Sequence, residues 1–257
     1  MNKIFFVQSL VMATMFLTGC QHEGQENRRS KANPPAEGFN AAQSDPAAIE
    51  LADSVMAAMG GRENWDETRF ISWNFFGRRN LVWDKKEGRV RIESIPDSTI
   101  YLVDVDDLKG RVQIKGKEIT APDSLQKLLE RAKSIWINDS YWLIMPFKLK
   151  DTGVTLKYLG EDTTLLGRRA NVLELTFEVV GETPENKYRV YVDVKDNLVK
   201  QWAYYKNASQ DSASQIWPFD YYKWYGDIML SADRSDNKGP RNVRVDEKLP
   251  GSLFSEF

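Results

Sequence analysis

Residues 69–95 read RFISWNFFGRRNLVWDKKEGRVRIESI. Phe70, Ile71, Trp73 and Phe75 precede Gly77, Leu81-Val82-Trp83 follow it, and Val90 and Ile92 alternate with Arg89, Arg91 and Glu93. A period of two sends successive side chains to opposite faces of an extended chain, so these residues read as strands. Asp84-Lys-Lys-Glu-Gly88 separates two of them and reads as a hairpin turn.

Working outward, further strands read over 98–105, 111–120, 155–160, 170–180, 187–194, 198–205, 215–224, 227–233 and 242–249. Gly110 and Gly116 fall at turns, and Asp196-Asn197 and Asn237-Lys238-Gly239 are hairpin signals. Val190, Val192 and Val194 take one face, with Arg189, Tyr191 and Asp193 on the other. Gly77-Arg78-Arg79 and Gly167-Arg168-Arg169 repeat, each before a strand. About eleven strands with short turns predict a mainly β (α+β) fold, built on a single large curved antiparallel sheet.

Two segments have helical spacing. In the first, Ile49, Ala52, Met56 and Met59 share a face; Asp45 is placed to cap it, Pro46 suits its first position, and Gly60-Gly61 ends it. Trp65 is expected to pack on that helix end. In the second, Leu125, Leu128, Leu129, Ala132 and Ile135 follow Pro122, and an apolar run, Tyr141 to Phe147, comes after.

The N-terminus, MNKIFFVQSLVMATMFLTGC, has a cationic Lys3, an apolar run too short to span a bilayer comfortably, and a small-residue end. Leu17-Thr18-Gly19-Cys20 resembles the bacterial lipobox. The resemblance implies cleavage after residue 19, a diacylglycerol thioether on Cys20 and an acylated new N-terminus. Several acyl chains anchor stably where one does so marginally. Residues 1–19 thus read as a lipoprotein signal peptide, 20–45 as a disordered polar tether, and 46–257 as one domain. Gln21 is not the Asp that retains some lipoproteins at the inner membrane, which points to the outer membrane.

The chain has 257 residues, a formal net charge of −2, one cysteine and one histidine. Near-balanced charge leaves no electrostatic footprint for nucleic acid. A lone Cys makes no internal disulfide or thiolate cluster, and a lone His, His22, falls in the tether. His-based triads and multi-His zinc sites are thereby excluded. Counting a calcium loop from Asp104 puts Lys109 and Lys115 where Gly and Glu belong, so Asp104, Asp106 and Asp107 read as a strand-end turn. No catalytic residue, metal ligand or cofactor is assigned, although a Ser–Lys pair needs only common residues and stays open. Arg78, Arg79, Arg168 and Arg169 read as solvated strand-end charges, with phosphate binding at a cavity mouth as the alternative.

The order of features resembles the LolA/LolB-like superfamily of lipoprotein carriers and receptors, closest to its uncharacterised lipoproteins. The residues that carry the resemblance are Met59-Gly60-Gly61 with Trp65, then Tyr141-Trp142-Leu-Ile-Met-Pro146-Phe147, and Gly160 with Gly167-Arg-Arg-Ala170-Asn-Val-Leu-Glu-Leu175. Tyr191-Val-Asp193, Leu198-Val199 and Trp202 complete the set. The resemblance implies an unclosed β-barrel whose concave face is covered by helices, enclosing an apolar cavity for acyl chains. Candidate lining residues are Trp73, Phe75, Trp83, Leu175, Phe177, Trp202 and Tyr204 from strands, Met56 and Met59 from the first helix, and Trp142 and Met145 from the insertion.

Two functions follow as expectations. The first is a membrane-anchored lipoprotein that holds a lipid, acyl chain or other hydrophobic ligand, with a role in lipid or lipoprotein trafficking in the envelope. The second is a non-catalytic structural or protein-interaction lipoprotein. A tethered chain cannot ferry cargo freely as the soluble carrier does, so an accepting role fits better; the receptor's protruding loop maps onto no particular position here.

Overall fold

The computed structural model describes residues 33–178 and 183–257. The leader, Cys20 and His22 lie outside the described residues. Three α-helices are present among them: α1 (Pro46–Ala58), α2 (Arg62–Glu67) and α3 (Pro122–Ile144). The strands are β1 (Phe70–Phe75), β2 (Arg79–Asp84), β3 (Arg89–Ser94), β4 (Thr99–Asp104), β5 (Lys109–Ile114) and β6 (Lys117–Glu118), then β7 (Val154–Thr163), β8 (Arg169–Phe177), β9 (Lys187–Asp193) and β10 (Val199–Tyr205). The last four are β11 (Gln215–Pro218), β12 (Tyr222–Tyr225), β13 (Ile228–Ser231) and β14 (Arg241–Asp246).

The fold is mainly β, with large antiparallel sheets that do not close into a barrel. The expected single sheet is corrected to three: a seven-stranded sheet ordered β14-β1-β2-β3-β4-β5-β6, a five-stranded sheet ordered β11-β10-β9-β8-β7, and a β12-β13 hairpin. The reason is the 23-residue α3, which carries the chain from β6 to β7 with no ladder joining those strands. The described strands number fourteen against the expected eleven or so: each of the twelve runs read from the sequence contains a strand, and two of them divide. The turn at Lys115-Gly116, both at positive φ, separates β5 from β6. Pro218, which lacks an N–H, and Tyr221, at φ 53°, interrupt the run 215–224. Asn237-Lys238-Gly239 turns the chain but joins no hairpin, since β13 pairs with β12 whereas β14 pairs with β1.

Register explains why the alternation in 69–95 matters. Trp73 faces Leu81, Leu81 faces Ile92, Ile92 faces Tyr101 and Tyr101 faces Val112, giving one row across five strands. All five are buried. In the five-stranded sheet Leu173, Val190 and Trp202 form the matching row. Both rows belong to one continuous core, together with Leu129, Ala132 and Leu143 of α3 and Ala52, Val55 and Met56 of α1. The outer face of the five-stranded sheet carries a smaller cluster of Ala170, Val172, Tyr191, Ala203 and Tyr205.

Residues 33–45, read as tether, pack on the domain, so the folded unit begins by Asn33 rather than at 46. Asn40 N–H donates to the Val154 carbonyl at 3.1 Å and Asp45 N–H to the Leu156 carbonyl at 2.9 Å. The Asp45 side chain makes no cap bond to α1. Its carboxylate accepts from Tyr158 N–H and Lys157 instead, each near 3 Å.

Gly60 ends α1 at φ 109°, and a Cβ there would lie 2.2 Å from the Asp227 carbonyl oxygen. Neighbouring Gly61, at φ 90°, has open space around it. Gly60→Ala is expected to cost about 1–3 kcal/mol, and more than Gly61→Ala, whose penalty is conformational alone. Urea midpoints of the two variants check this, and equal losses would remove the role of the Asp227 contact.

Candidate functional site

The end of α3, the 3₁₀ turn Met145–Lys148 that follows it, α1 and β2 surround a cavity of about 260 Å³. Three sequence choices place its walls. Pro146 stops α3 from continuing and turns Phe147 inward. Gly60-Gly61 swings the chain so that α2 presents Trp65 to the same space. The inward register of β2 presents Trp83.

The aromatic walls support one another. Trp65 stacks on Phe147 with ring centroids 4.3 Å apart and planes 12° apart. Trp83 meets Trp136 edge-on at 5.3 Å. Met56 and Ile144 complete the apolar lining. Lys85 lies over the Trp65 ring at 4.8 Å, and burial lowers its pKa. Tyr141 also borders the cavity, and burial holds its phenol well above the ordinary range.

The polar part of the lining is uneven. Arg62, Lys148 and Asp151 are partly exposed and mark the mouth, with Lys148 paired to Asp151 and Arg62 to Asp66. Deeper, Lys150 pairs with Asp53, and their side chains are only 4% and 3% exposed. Asn33 closes this network: its Nδ2 donates to Asp53 Oδ1 at 2.8 Å and its carbonyl accepts from Lys150 Nζ. The network ties the N-terminal segment, α1 and the cavity wall into one unit.

Two further buried groups fix α3. Arg79 of β2 grips Asp139 of α3 with two bonds, at 2.6 and 2.9 Å. Burial raises the Asp139 pKa, and the Arg79 and Asn138 donors only partly offset it. Arg234 is 2% exposed, lies 3.4 Å from the Phe219 ring centroid and donates to the Trp142 carbonyl at 2.6 Å. Burial brings its pKa down to about 9.

Of the residues proposed from sequence, Met56 and Trp83 line this cavity. The others lie elsewhere, and all but the half-buried Tyr204 belong to the core or pack against it. Trp73 and Phe75 lie on the inner face of the seven-stranded sheet, and Met59, Met145 and Leu175 are fully enclosed. Trp142 and Trp202 meet edge-on at 4.7 Å, Trp202 stacks with Tyr188 at 5.3 Å, and Phe177 and Tyr204 both contact Tyr188. These rings, one from α3 and the rest from the five-stranded sheet, pack on one another. Wall residues that the sequence did not single out for the cavity include Trp65, Trp136, Tyr141, Ile144 and Phe147.

The arginine pairs do not face the cavity. Arg79 is committed to Asp139, Arg168 to Asp193 and Arg169 to Glu161. Asp104 accepts the N–H groups of Asp106 and Asp107 and so organises a turn. Among the described residues no group of three or more His, Cys, Asp or Glu is placed to hold a metal ion. No described helix is long and apolar enough to cross a membrane.

No family model matches the chain, and no curated protein matches it. Among solved structures it is similar to a DUF1329 family protein from Desulfovibrio piger, with 14% identity over 81% of this chain and 97% of that one, at a TM-score of 0.43. It is similar to a putative outer membrane lipoprotein-sorting protein domain from Vibrio parahaemolyticus, with 10% identity over 73% and 87% of the two chains and a TM-score of 0.34. A third similarity is to MucB in complex with MucA(peri), at 12% identity and a TM-score of 0.24, covering 80% of this chain and 58% of that one.

Proposed function

We propose that this chain is a bacterial envelope lipoprotein, anchored through Cys20, that holds a hydrophobic chain in the cavity beneath α3 without covalent chemistry. The observation that carries the reading is the cavity itself: about 260 Å³, walled by Met56, Trp65, Trp83, Trp136, Ile144 and Phe147. An apolar cavity of about 150 Å³ suffices to bind benzene, and typical ligand pockets begin near 300 Å³. The space therefore suits one segment of a single chain rather than several chains side by side. Placement at the outer membrane, and a part in lipid or lipoprotein traffic, belong to the same reading.

The test uses the mature chain, residues 20–257 without the leader, carrying Cys20→Ala, expressed in a bacterium and purified without detergent. Native mass spectrometry is expected to show an apolar adduct that leaves on denaturation. Failure to find one, with no quenching of tryptophan fluorescence by added acyl-chain probes, overturns the reading. In wild type, Cys20 is expected to incorporate labelled palmitate.

A second reading, an interaction subunit of the envelope, is favoured by apolar side chains outside the cavity. Leu165 and Leu166, at the β7–β8 turn, are 74% and 67% exposed, and Trp224 is 58% exposed. Exposed apolar surface of this kind marks contact sites when it is contiguous. Loss of partner capture on Leu165→Ser/Leu166→Ser, with acyl-probe binding absent throughout, would favour it over the first.

A further inference from the structure

The first described residues lie at the cavity. Asn33 and Ala36 both line it, and so do the residues that hold them there. Ala36 N–H donates to the Lys150 carbonyl at 2.9 Å, Lys150 Nζ donates to the Asn33 carbonyl, and Arg62 Nη1 donates to the Pro34 carbonyl at 3.3 Å. The chain is thus fixed to the cavity wall at the point where it continues towards Cys20. Cys20 precedes Asn33 by only 13 residues. At 3.3–3.6 Å per residue that length spans at most about 45 Å, even fully extended. A lipid on Cys20 is therefore confined to the neighbourhood of this cavity and meets it as an intramolecular ligand. Short linkers give such ligands an effective concentration on the order of a millimolar. A foreign amphiphile would have to be free at that level to compete equally.

We infer that the cavity is filled in cis, by one acyl chain of the protein's own Cys20 lipid, lying against Trp65 and Phe147. The inference rests on the proposed function, and it names the ligand within that reading. The lipobox resemblance gives Cys20 several acyl chains, whereas the cavity, at about 260 Å³, suits a segment of one. The remaining chains stay in the bilayer and keep the anchor stable. Moving one chain from bilayer to cavity exchanges one apolar surrounding for another, so the hydrophobic effect does not oppose it. The ordered rings of the wall then offer closer contacts than fluid lipid does. Uptake of any other hydrophobic chain becomes a competition with the anchor.

The test compares three proteins in the same phosphatidylglycerol–phosphatidylethanolamine vesicles: the lipidated chain, the mature Cys20→Ala chain, and a lipidated chain with 40 Gly/Ser residues inserted between Ser30 and Lys31. Each is titrated with 12-bromododecan-1-ol, whose bromine quenches tryptophan fluorescence on contact. The lipidated chain is expected to bind the probe at least tenfold more weakly than Cys20→Ala. Lengthening the connection from 13 to 53 residues lowers the effective concentration about eightfold, so the inserted chain is expected to differ from Cys20→Ala by only about twofold. Cells fed a diazirine analogue of palmitate supply the direct readout. Irradiation of the lipidated chain, at no more than one protein per vesicle, is expected to join the label to segments carrying Trp65 and Phe147. Equal probe binding by the lipidated and Cys20→Ala chains, with label joined to vesicle lipid alone, overturns this inference and leaves the binding reading standing. A tenfold difference that survives the insertion also overturns it, because the block is then not an intramolecular chain. Absence of quenching in all three proteins overturns the proposed binding function beneath it. Absence of label on Cys20 overturns the anchor, and this inference with it.

Discussion

Lys150→Met is expected to destabilise the domain by about 3–5 kcal/mol, the range for removing one partner of a buried ion pair. The Asp53 carboxylate is 3% exposed, and after the change it would keep only the Asn33 amide as a donor in this network. Native domains have only about 5–15 kcal/mol in hand, so the loss is a large share of the whole. For a domain of this size it corresponds to a drop in thermal midpoint of about 6–20 °C. Urea unfolding at neutral pH measures it. The double variant Lys150→Met/Asp53→Leu removes both charges and is expected to recover more than half of the deficit. A loss under 1 kcal/mol for the single change would show that the pair is not buried in solution as it is here.

Arg79→Met is expected to have a loss of similar size, about 3–5 kcal/mol at pH 7, because it leaves Asp139 fully buried without its bidentate partner. This loss should depend on pH, and the sign follows from the direction of the shift. Burial already holds the Asp139 pKa above the ordinary carboxylate value while Arg79 is present. Without Arg79 the folded-state value rises further, and the unfolded value stays near 3.9. A group that binds its proton more tightly when folded favours the folded state at low pH. That contribution is lost as pH rises from the unfolded value through the folded one. The deficit of Arg79→Met relative to wild type should therefore be smaller at pH 4.5 than at pH 7.5. In Arg79→Met/Asp139→Asn the difference between the two pH values should largely vanish. A pH-independent deficit would mean that α3 has moved and hydrated the carboxylate.

Much of the strand content is legible in the sequence because alternation is local. Phe70, Ile71 and Trp73 announce β1 whatever they pair with. Sheet membership is not local. β14 returns to β1, pairing Phe70 with Asp246, and nothing near either residue signals it. Asp45 looks like a helix cap, yet β7 offers it an N–H and an ammonium that the cap position cannot match. In the site, Trp73 and Trp83 read alike, both inward-facing on adjacent strands. Only the placement of α3 decides that Trp83 borders a cavity with Trp136 whereas Trp73 is enclosed by packing. Lys150 stands in Phe-Lys-Leu-Lys-Asp and reads as surface. It is buried because Asn33 meets it from 117 residues away.

The docking of residues 33–45 has a consequence for how the domain should be cut and handled. β7 is the outermost strand of its sheet. Its Val154 and Leu156 carbonyls accept from Asn40 and Asp45, its Leu156 N–H donates to Ser44 Oγ and its Tyr158 N–H to the Asp45 carboxylate. The segment that leads to the anchor therefore occupies the row of backbone groups on which a foreign strand would otherwise add. A fragment trimmed to begin at Pro46 would bare that row, and self-association through strand pairing is the hazard it would meet.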